Sequence, residues 1–229
     1  MLHELGPGLW EHRGWTRVVG VPLPRRMVVA RLEPGGDRGP GLWVWSPNRL
    51  DPALRAAVDA LGPVTQVVAP SRFHHAHLEA WREAYPAARV WAAPGLPEKR
   101  RDLRFDGVLG AEAPGAWGEA LALAPLEGAP ASSEVEVLHR PSGTLLVCDL
   151  VFHVGAEAPW LTRLATRANG AFGRVTPTRV FRSFVEDRRA VRATVDRLLA
   201  WSWDRLVMAH GEVVETGGRA ALERAFAGW

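Results

Sequence analysis

Short apolar runs rich in β-branched residues recur along the chain, and most end in a proline, a glycine or a charged residue. Runs of this length and composition are typical of buried β-strands, whereas an amphipathic helix needs a longer stretch with a helical period. The pattern predicts seven strands, at 25–32, 41–47, 64–70, 88–94, 133–139, 144–150 and 204–210.

Helical patterns lie between several of these strands. Asp51 is a candidate N-cap and is followed by a proline, which is favoured at the first helical position. The segment 98–130 is rich in glycine and proline and predicts a loop-rich connection. Helices are predicted at 51–62, 71–85, 185–201 and 217–229. Antiparallel strands followed by strand–helix alternation favour an α/β sandwich of mixed sheets, in one domain spanning 1–229.

Side chains capable of metal or acid–base chemistry follow three of the predicted strands. They are, in chain order, His74 and His75 after one strand, Asp149 at the end of a second and His210 at the end of a third. Because ligands of open α/β sheets collect beyond the carboxyl ends of strands, these side chains are expected to share one site. His77 is expected to flank the apolar face of the helix predicted at 71–85 instead.

The hairpin formed by 133–139 and 144–150 decides which neighbours Asp149 can have. His139 lies beside the turn, so at ~3.3 Å per residue it is expected roughly 15 Å from the Asp149 carboxylate. Asp149 is expected to face Ser132, Ser133 and Glu134, at the open end of the hairpin. Cys148 alternates with Asp149 and is therefore expected in the core. His153, four residues further on, is left open as a neighbour of the site.

Composition narrows the partners and the compartment. The net charge is only +3, and a single cysteine excludes an internal disulfide and a cysteine-rich zinc module. No apolar run approaches the ~18 residues of a membrane span, and the first residues do not have the pattern of a signal peptide. The expected setting is the cytoplasm, with a small-molecule ligand or substrate and no nucleic-acid or membrane partner. The eleven tryptophans are expected mainly in the core, although some are compatible with a pocket or a homodimer contact.

Over nearly its whole length the sequence resembles the metallo-β-lactamase superfamily, and specifically a branch catalogued as a domain of unknown function. The stretches that carry the resemblance are LGPGLW, SPNRLDPAL, VVAPSRFHHAHLEAWREAYPAARVWAAPGL, LHRPSGTLLVCDLVFH and LAWSWDRLVMAHG. The resemblance implies an αββα sandwich with one or two metal ions, usually zinc, at the sheet edges. It also implies that Asp149 is the metal-bridging carboxylate and that His210 is the histidine of a Gly-His-Gly turn, in which Ala209 replaces the first glycine.

The sequence departs from the superfamily at the motif H-x-H-x-D-H. If its end is placed on His74 and His75, its first two histidines fall on Pro70 and Arg72, which cannot bind a metal. The histidine expected before the hairpin has no counterpart in 128–134. The resemblance therefore implies a reduced site with one divalent ion, most simply zinc, or with none. The predicted ligands are His74, His75, Asp149 and His210, of which Asp149 and His210 are the predicted catalytic residues.

Three functions are compatible with these residues. The first is a metal-dependent hydrolase with a single ion and an open water position. The second is a non-catalytic binding or structural protein on the same fold that has lost its metal site, because a fold does not carry its function along. The third is metal-free acid–base catalysis by the histidine–aspartate group, for which no G-x-S-x-G nucleophile motif occurs in the sequence.

Overall fold

Two β-sheets lie face to face, with helices on their outer faces, in the computed structural model, which describes residues 1–32 and 41–229. The first sheet contains seven strands in chain order: β1 (Leu2–Gly6), β2 (Leu9–Val18), β3 (Val21–Leu32), β4 (Gly41–Trp45), β5 (Val64–Ala69), β6 (Arg89–Ala92) and β7 (Gly107–Val108). Strands β1 to β4 pair antiparallel, and β4 to β7 pair parallel. The sheet is therefore mixed.

The second sheet has four strands in the order β11-β10-β9-β8. Their bounds are β8 (Leu121–Pro125), β9 (Val135–His139), β10 (Thr144–Val147) and β11 (Arg205–Met208). Strand β10 pairs parallel with β11 and antiparallel with β9, so this sheet is mixed as well. Because β10 and β11 run parallel, both deliver their carboxyl ends to one edge of the sheet.

The helices of the described residues are α1 (Pro52–Asp59), α2 (Leu78–Ala84), α3 (Leu96–Lys99), α4 (Trp160–Ala168), α5 (Arg179–Ser183), α6 (Arg188–Ala200) and α7 (Gly218–Ala225). Helices α1, α2 and α3 cover the outer face of the larger sheet, and α5, α6 and α7 cover that of the smaller sheet. No helix in these parts of the chain is long and apolar enough to span a membrane.

The core has three layers. The central layer fills the space between the sheets, where the rings of Trp43 and Trp117 meet edge to face with centroids 5.7 Å apart. In the outer layers, each sheet packs against the apolar stripes of its helices. The αββα sandwich predicted from the sequence is thus confirmed, and so are all seven predicted strands, with shifted ends.

Sequence reasoning missed several elements. Strands β1 and β2 were not predicted, because charged residues, histidine and glycine interrupt both and leave no continuous apolar run. The connection predicted as loop-rich at 98–130 contains β7 and β8 and a 3-10 helix at Gly115–Ala120. Helices α4 and α5 were missed as well. The two inward-facing residues of α4 are threonines, so it has no apolar stripe toward the core.

The helix predicted at 71–85 begins only at Leu78. The hydroxyl of Ser71 accepts the N–H groups of Phe73 and His74, both at 3.2 Å, and closes a tight turn instead of capping a helix. Residues 71–77 are consequently a series of turns between β5 and α2. This difference decides where the three histidines of this segment lie.

Candidate metal centre

Three of the predicted side chains meet at the ends of three strands. His74 follows β5, Asp149 follows β10 and His210 follows β11, and one potential ligand atom of each lies within 4.8 Å of the others. Asp149 Oδ2 is 3.6 Å from His74 Nε2, and Asp149 Oδ1 is 3.4 Å from His210 Nε2. The side chains of His74 and His210 are almost fully buried, at 4% and 7% exposed, whereas the side chain of Asp149 is 18% exposed. The carboxylate therefore stands between two imidazoles and is the most accessible of the three groups.

The imidazole of His210 is oriented by a strand of the other sheet. Its Nδ1 lies 2.6 Å from the carbonyl oxygen of Pro24 in β3. A carbonyl oxygen can only accept, so Nδ1 carries the proton and Nε2 of the neutral ring presents a lone pair toward Asp149. Burial in this position lowers the pKa of His210 to about 4, which keeps the imidazole neutral at neutral pH.

The turn after β11 depends on a glycine. Gly211 has φ of 119°, and a Cβ at this position would lie 2.0 Å from the carbonyl oxygen of His153. The close approach lets His153 donate its N–H to the His210 carbonyl and accept the N–H of Glu212. The ring of Phe152 packs against the imidazole of His210, with centroids 4.8 Å apart. Only glycine tolerates this backbone, and the packed turn aims His210 at Asp149.

His74 is held in the same manner by a serine. Nδ1 of His74 lies 2.8 Å from the hydroxyl of Ser46, directly after β4. When the hydroxyl accepts the Nδ1 proton, Nε2 of His74 is left as a lone pair that faces Asp149. Ser46 is fully buried and has φ of 51°, a left-handed conformation that non-glycine residues adopt at a cost. This strained backbone points the hydroxyl at the imidazole.

Asp149 is positioned through its backbone by Glu134. The fully buried Glu134 carboxylate accepts the N–H groups of Cys148, Asp149 and Leu150, with 2.8 Å to the nitrogen of Asp149. These bonds replace the ladder of β10, which ends at Val147. Burial and the neighbouring Asp149 charge raise the pKa of Glu134 to about 7. Of the three residues expected to face Asp149, Glu134 contacts its backbone, whereas the hydroxyls of Ser132 and Ser133 donate to the carbonyls of Ala129 and Pro130.

The electrostatics of the cluster favour a charged aspartate. Burial works against ionisation of Asp149, but His74, His210 and Arg25 together hold its pKa below the usual value. The site therefore combines one anion with two imidazoles, and His210 turns an Nε2 without a proton toward that anion.

The donor set fits a zinc ion. Zinc is bound by imidazole nitrogen and carboxylate oxygen at ~2.0–2.2 Å, which corresponds to ligand–ligand separations of about 3.3–3.6 Å in a tetrahedron. The 3.4 and 3.6 Å between Asp149 and the two histidines lie in this range, each through a different carboxylate oxygen, and one ligand atom from each residue lies within 4.8 Å of the others. The hydrogen bonds of both Nδ1 atoms are those that commonly orient metal-binding histidines. Three protein ligands leave one position open, as in catalytic zinc sites.

The structure does not bring His75, the fourth predicted ligand, into this cluster. Its Nδ1 lies 2.8 Å from Nη1 of Arg100, on the other side of the turn. Burial and the charges of Lys99 and Arg100 lower the pKa of His75 to about 4. Adjacent residues of a turn point in different directions, so the tight turn closed by Ser71 separates His74 from its neighbour. His77 precedes α2 at the N-cap and also lies outside the cluster.

The other singled-out residues lie where the hairpin argument places them. His139 is buried beside the turn, with Nδ1 2.7 Å from the hydroxyl of Ser142. Cys148 is buried in the layer between the sheets. His153 contacts the site only through its backbone, at the turn of Gly211, so it is a neighbour of the cluster and not a member.

Sequence reasoning missed the residues that orient the two imidazoles. The carbonyl of Pro24 carries no sequence signal, because any residue could supply it. Ser46 has a weak signal, since a polar residue directly after an apolar strand is often at a site. Arg25 and Arg26 read as ordinary strand-end charges, although both are buried.

Two mixed sheets between layers of helices, with the polar cluster at the strand ends, place the chain in the class of proteins with the metallo-β-lactamase fold. A metallo-beta-lactamase from Pontibacter korlensis has a TM-score of 0.66 and 13% identity over 100% of this chain and 99% of its own. One from Erythrobacter litoralis, with beta mercaptoethanol in the active site, has a TM-score of 0.67 and 16% identity over 99% and 94%. Metallo-beta-lactamase FIM-1 from Pseudomonas aeruginosa, in the mono-zinc form, has a TM-score of 0.59 and 12% identity over 99% and 96%. Identities this low show the fold alone.

Within this class, the chain belongs to the family described as "Domain of unknown function (DUF4336)", whose model matches residues 8–190. A comparison with functionally curated proteins finds no match. The superfamily resemblance found in the sequence, including the branch, is confirmed.

Removal of the Ser46 hydroxyl is expected to weaken zinc binding about tenfold, because the imidazole of His74 loses the bond that orients it. The measurement is a zinc titration of Ser46→Ala in competition with a chromogenic chelator. Ser133→Ala is a matched control, since Ser133 also has a left-handed backbone, at φ of 41°, but its hydroxyl bonds to Pro130. Equal zinc affinity in Ser46→Ala and the wild type would contradict the proposed orienting role.

Proposed function

We propose that this protein is a metal-dependent hydrolase that acts on a small molecule with one zinc ion, held by His74, Asp149 and His210. The observation that carries the proposal is the lone-pair arrangement at Asp149. Nε2 of His210 faces a carboxylate oxygen at 3.4 Å while its only proton is used on the Pro24 carbonyl. Two acceptors at this distance repel each other unless a cation lies between them.

The three cluster residues and the groups that orient them would have separate roles in hydrolysis. A zinc ion bound here would supply a water with a pKa near ~7 as the nucleophile. Asp149, the most accessible member of the cluster, is the group that can orient this water and accept its proton. His74 and His210 would bind the ion through Nε2, and Ser46 and the Pro24 carbonyl hold the two imidazoles in place through Nδ1. A cavity of about 380 Å³ has the size of a small-molecule site, and Pro24, Ala209 and Gly211 are among its lining residues, whereas the three members of the cluster are not.

A single ion is favoured over two. The positions that resemble the first two motif histidines, Pro70 and Arg72, have structural roles in the connection to 130–135. The carbonyl of Pro70 accepts the N–H of Val135, and the Arg72 guanidinium donates to the Pro130 carbonyl at 3.1 Å. The mono-zinc form of FIM-1 is a precedent, on this fold, for a site with one ion.

The location in the cytoplasm, and the absence of nucleic-acid and membrane partners, remain predictions.

A non-catalytic binding protein is the second candidate. The loss of the residues for a second ion favours it, because most of the superfamily motif is gone while the fold is retained. The two candidates differ in turnover, and they share the expectation that the three-residue cluster is intact.

The test is metal analysis together with a hydrolysis screen. The purified protein, reconstituted with zinc, is expected to retain about one equivalent and to hydrolyse at least one member of a panel of chromogenic esters, thioesters and phosphodiesters. His210→Ala is expected to lose both properties. His75→Ala is the matched control and is expected to keep both, because His75 faces Arg100. No retained zinc would refute the hydrolase and favour the binding protein that has lost its metal site, and stoichiometric zinc without any turnover would contradict both.

A further inference from the structure

Arg25, in β3, is a buried cation that forms no ion pair with a carboxylate in the described residues, although the Asp149 charge is near enough to act on it. The residue is 6% exposed, and Nη2 of its guanidinium donates to the carbonyl of Pro47 at 3.0 Å. Nε is fully buried and has no hydrogen-bond partner among the described residues. Its neighbour Arg26 is different, since the carboxylate of Glu11 and the Met208 carbonyl both accept from it. Buried charges are normally paired, so an unsatisfied guanidinium nitrogen at this place calls for a ligand.

The hydrogen bonds around Arg25 place it alongside the metal centre. The carbonyl of the preceding Pro24 holds Nδ1 of His210. The tip of Arg25 is anchored on Pro47, which directly follows the serine that holds His74. The side chain thus runs from the residue that orients one imidazole to the segment that orients the other.

The cavity next to His210 also borders Arg25. Its lining includes Arg25 together with Pro24, Ala209 and Gly211. Three carboxylates line the cavity too, those of Glu157, Glu212 and Glu215, but no ion pair joins any of them to Arg25 in the described residues. Glu215 is engaged by Arg205 at 2.7 Å. Arg25 is therefore a buried cation in the cavity wall that forms no ion pair with the carboxylates lining the cavity.

We propose that Arg25 is a substrate-recognition residue that binds an oxyanion of the substrate, a phosphate or carboxylate group, beside the metal centre. The proposal rests on the proposed function and names its substrate class, which is small anionic molecules. The planar guanidinium offers its terminal nitrogens as charged donors in a fixed geometry, and such donors match the oxygens of a carboxylate or phosphate. Anchoring by Pro47 orders the guanidinium before the substrate arrives, so little side-chain entropy is lost on binding.

The test uses inorganic phosphate and acetate as probes, measured by calorimetry on the full chain in zinc-free and zinc-loaded form. We expect the wild type to bind at least one probe in both forms. Arg25→Gln is expected to weaken this binding at least about tenfold in both forms, since a charged hydrogen-bond donor is lost. Arg25→Lys, which keeps the charge and loses the fixed geometry of the donors, is expected to lie between them. Arg17→Gln removes the same charge from an exposed position in β2 and is expected to bind like the wild type.

The outcomes separate the recognition role from the proposed hydrolase. If neither probe binds to the wild type, or if both Arg25 variants bind the probes as the wild type does, the recognition role is refuted. If Arg25→Gln fails to fold, the comparison of Arg25→Lys with the wild type decides in the same manner. Loss of zinc in both variants with unchanged probe binding also refutes it. A wild type that takes up no zinc refutes the hydrolase, whereas probe binding to the zinc-free chain still decides the role of Arg25.

Discussion

Replacement of Asp149 by alanine is expected to abolish stoichiometric zinc binding. The carboxylate is the only anion of the cluster, and it lies within 3.6 Å of both imidazole Nε2 atoms. Without it, two neutral nitrogens remain, which is one ligand fewer than catalytic zinc sites use. Changes that merely orient a ligand weaken metal binding ~10–100-fold, so loss of this ligand is expected to exceed about 100-fold. The measurement is chelator competition followed by elemental analysis.

This variant is expected to stay folded, which makes the result interpretable. Glu134 holds the segment after β10 through backbone N–H groups, and these bonds do not involve the Asp149 side chain. Asp149→Asn removes the charge of the carboxylate and keeps the shape of the side chain, and it is expected to bind zinc weakly as well. Asp196→Ala, on the exposed face of α6, is the control for a lost carboxylate. Undiminished zinc binding by Asp149→Ala would remove the proposed site from this cluster.

The free energy of unfolding is expected to fall steeply as the pH drops from 6.5 to 4. His139 is 1% exposed, its Nε2 has no hydrogen-bond partner in the part of the chain that the structure describes, and burial lowers its pKa to about 4. The unfolded chain takes up this proton near pH 6.5, whereas the folded chain stays neutral until about pH 4. Within this window the unfolded state binds more protons, so stability is complete above pH 6.5 and is lost as the pH falls. At ~1.4 kcal/mol per pKa unit, His139 contributes about 3 kcal/mol.

Urea unfolding between pH 7.5 and 4.5, in the presence of a chelator, measures this effect. His139→Leu removes the proton uptake and is expected to flatten the pH dependence of the free energy of unfolding. His3→Gln changes an exposed histidine of β1 and is expected to leave the pH dependence unchanged. The same slope in His139→Leu and the wild type would show that another buried group, such as His210, is responsible for the acid lability.

Seven of the strands and three members of the cluster could be predicted from the sequence because they depend on local rules. A buried strand shows itself as a short apolar run, and parallel strands deliver the residues after their carboxyl ends to one edge of the sheet. His74, Asp149 and His210 were predicted on this basis, before any contact was known. The distance between His139 and Asp149 also came from strand geometry alone.

Tertiary structure decided which histidine joins the cluster and which groups orient it. His74 and His75 are adjacent, and only the turn closed by Ser71 directs one to Asp149 and the other to Arg100. The bonds that orient the imidazoles join residues 28 positions apart, Ser46 and His74, and 186 positions apart, Pro24 and His210. Such partners depend on how the two sheets are packed against each other. A local pattern carries no information about that packing. The candidate ligands could therefore be predicted from the sequence, whereas the groups that orient them could not.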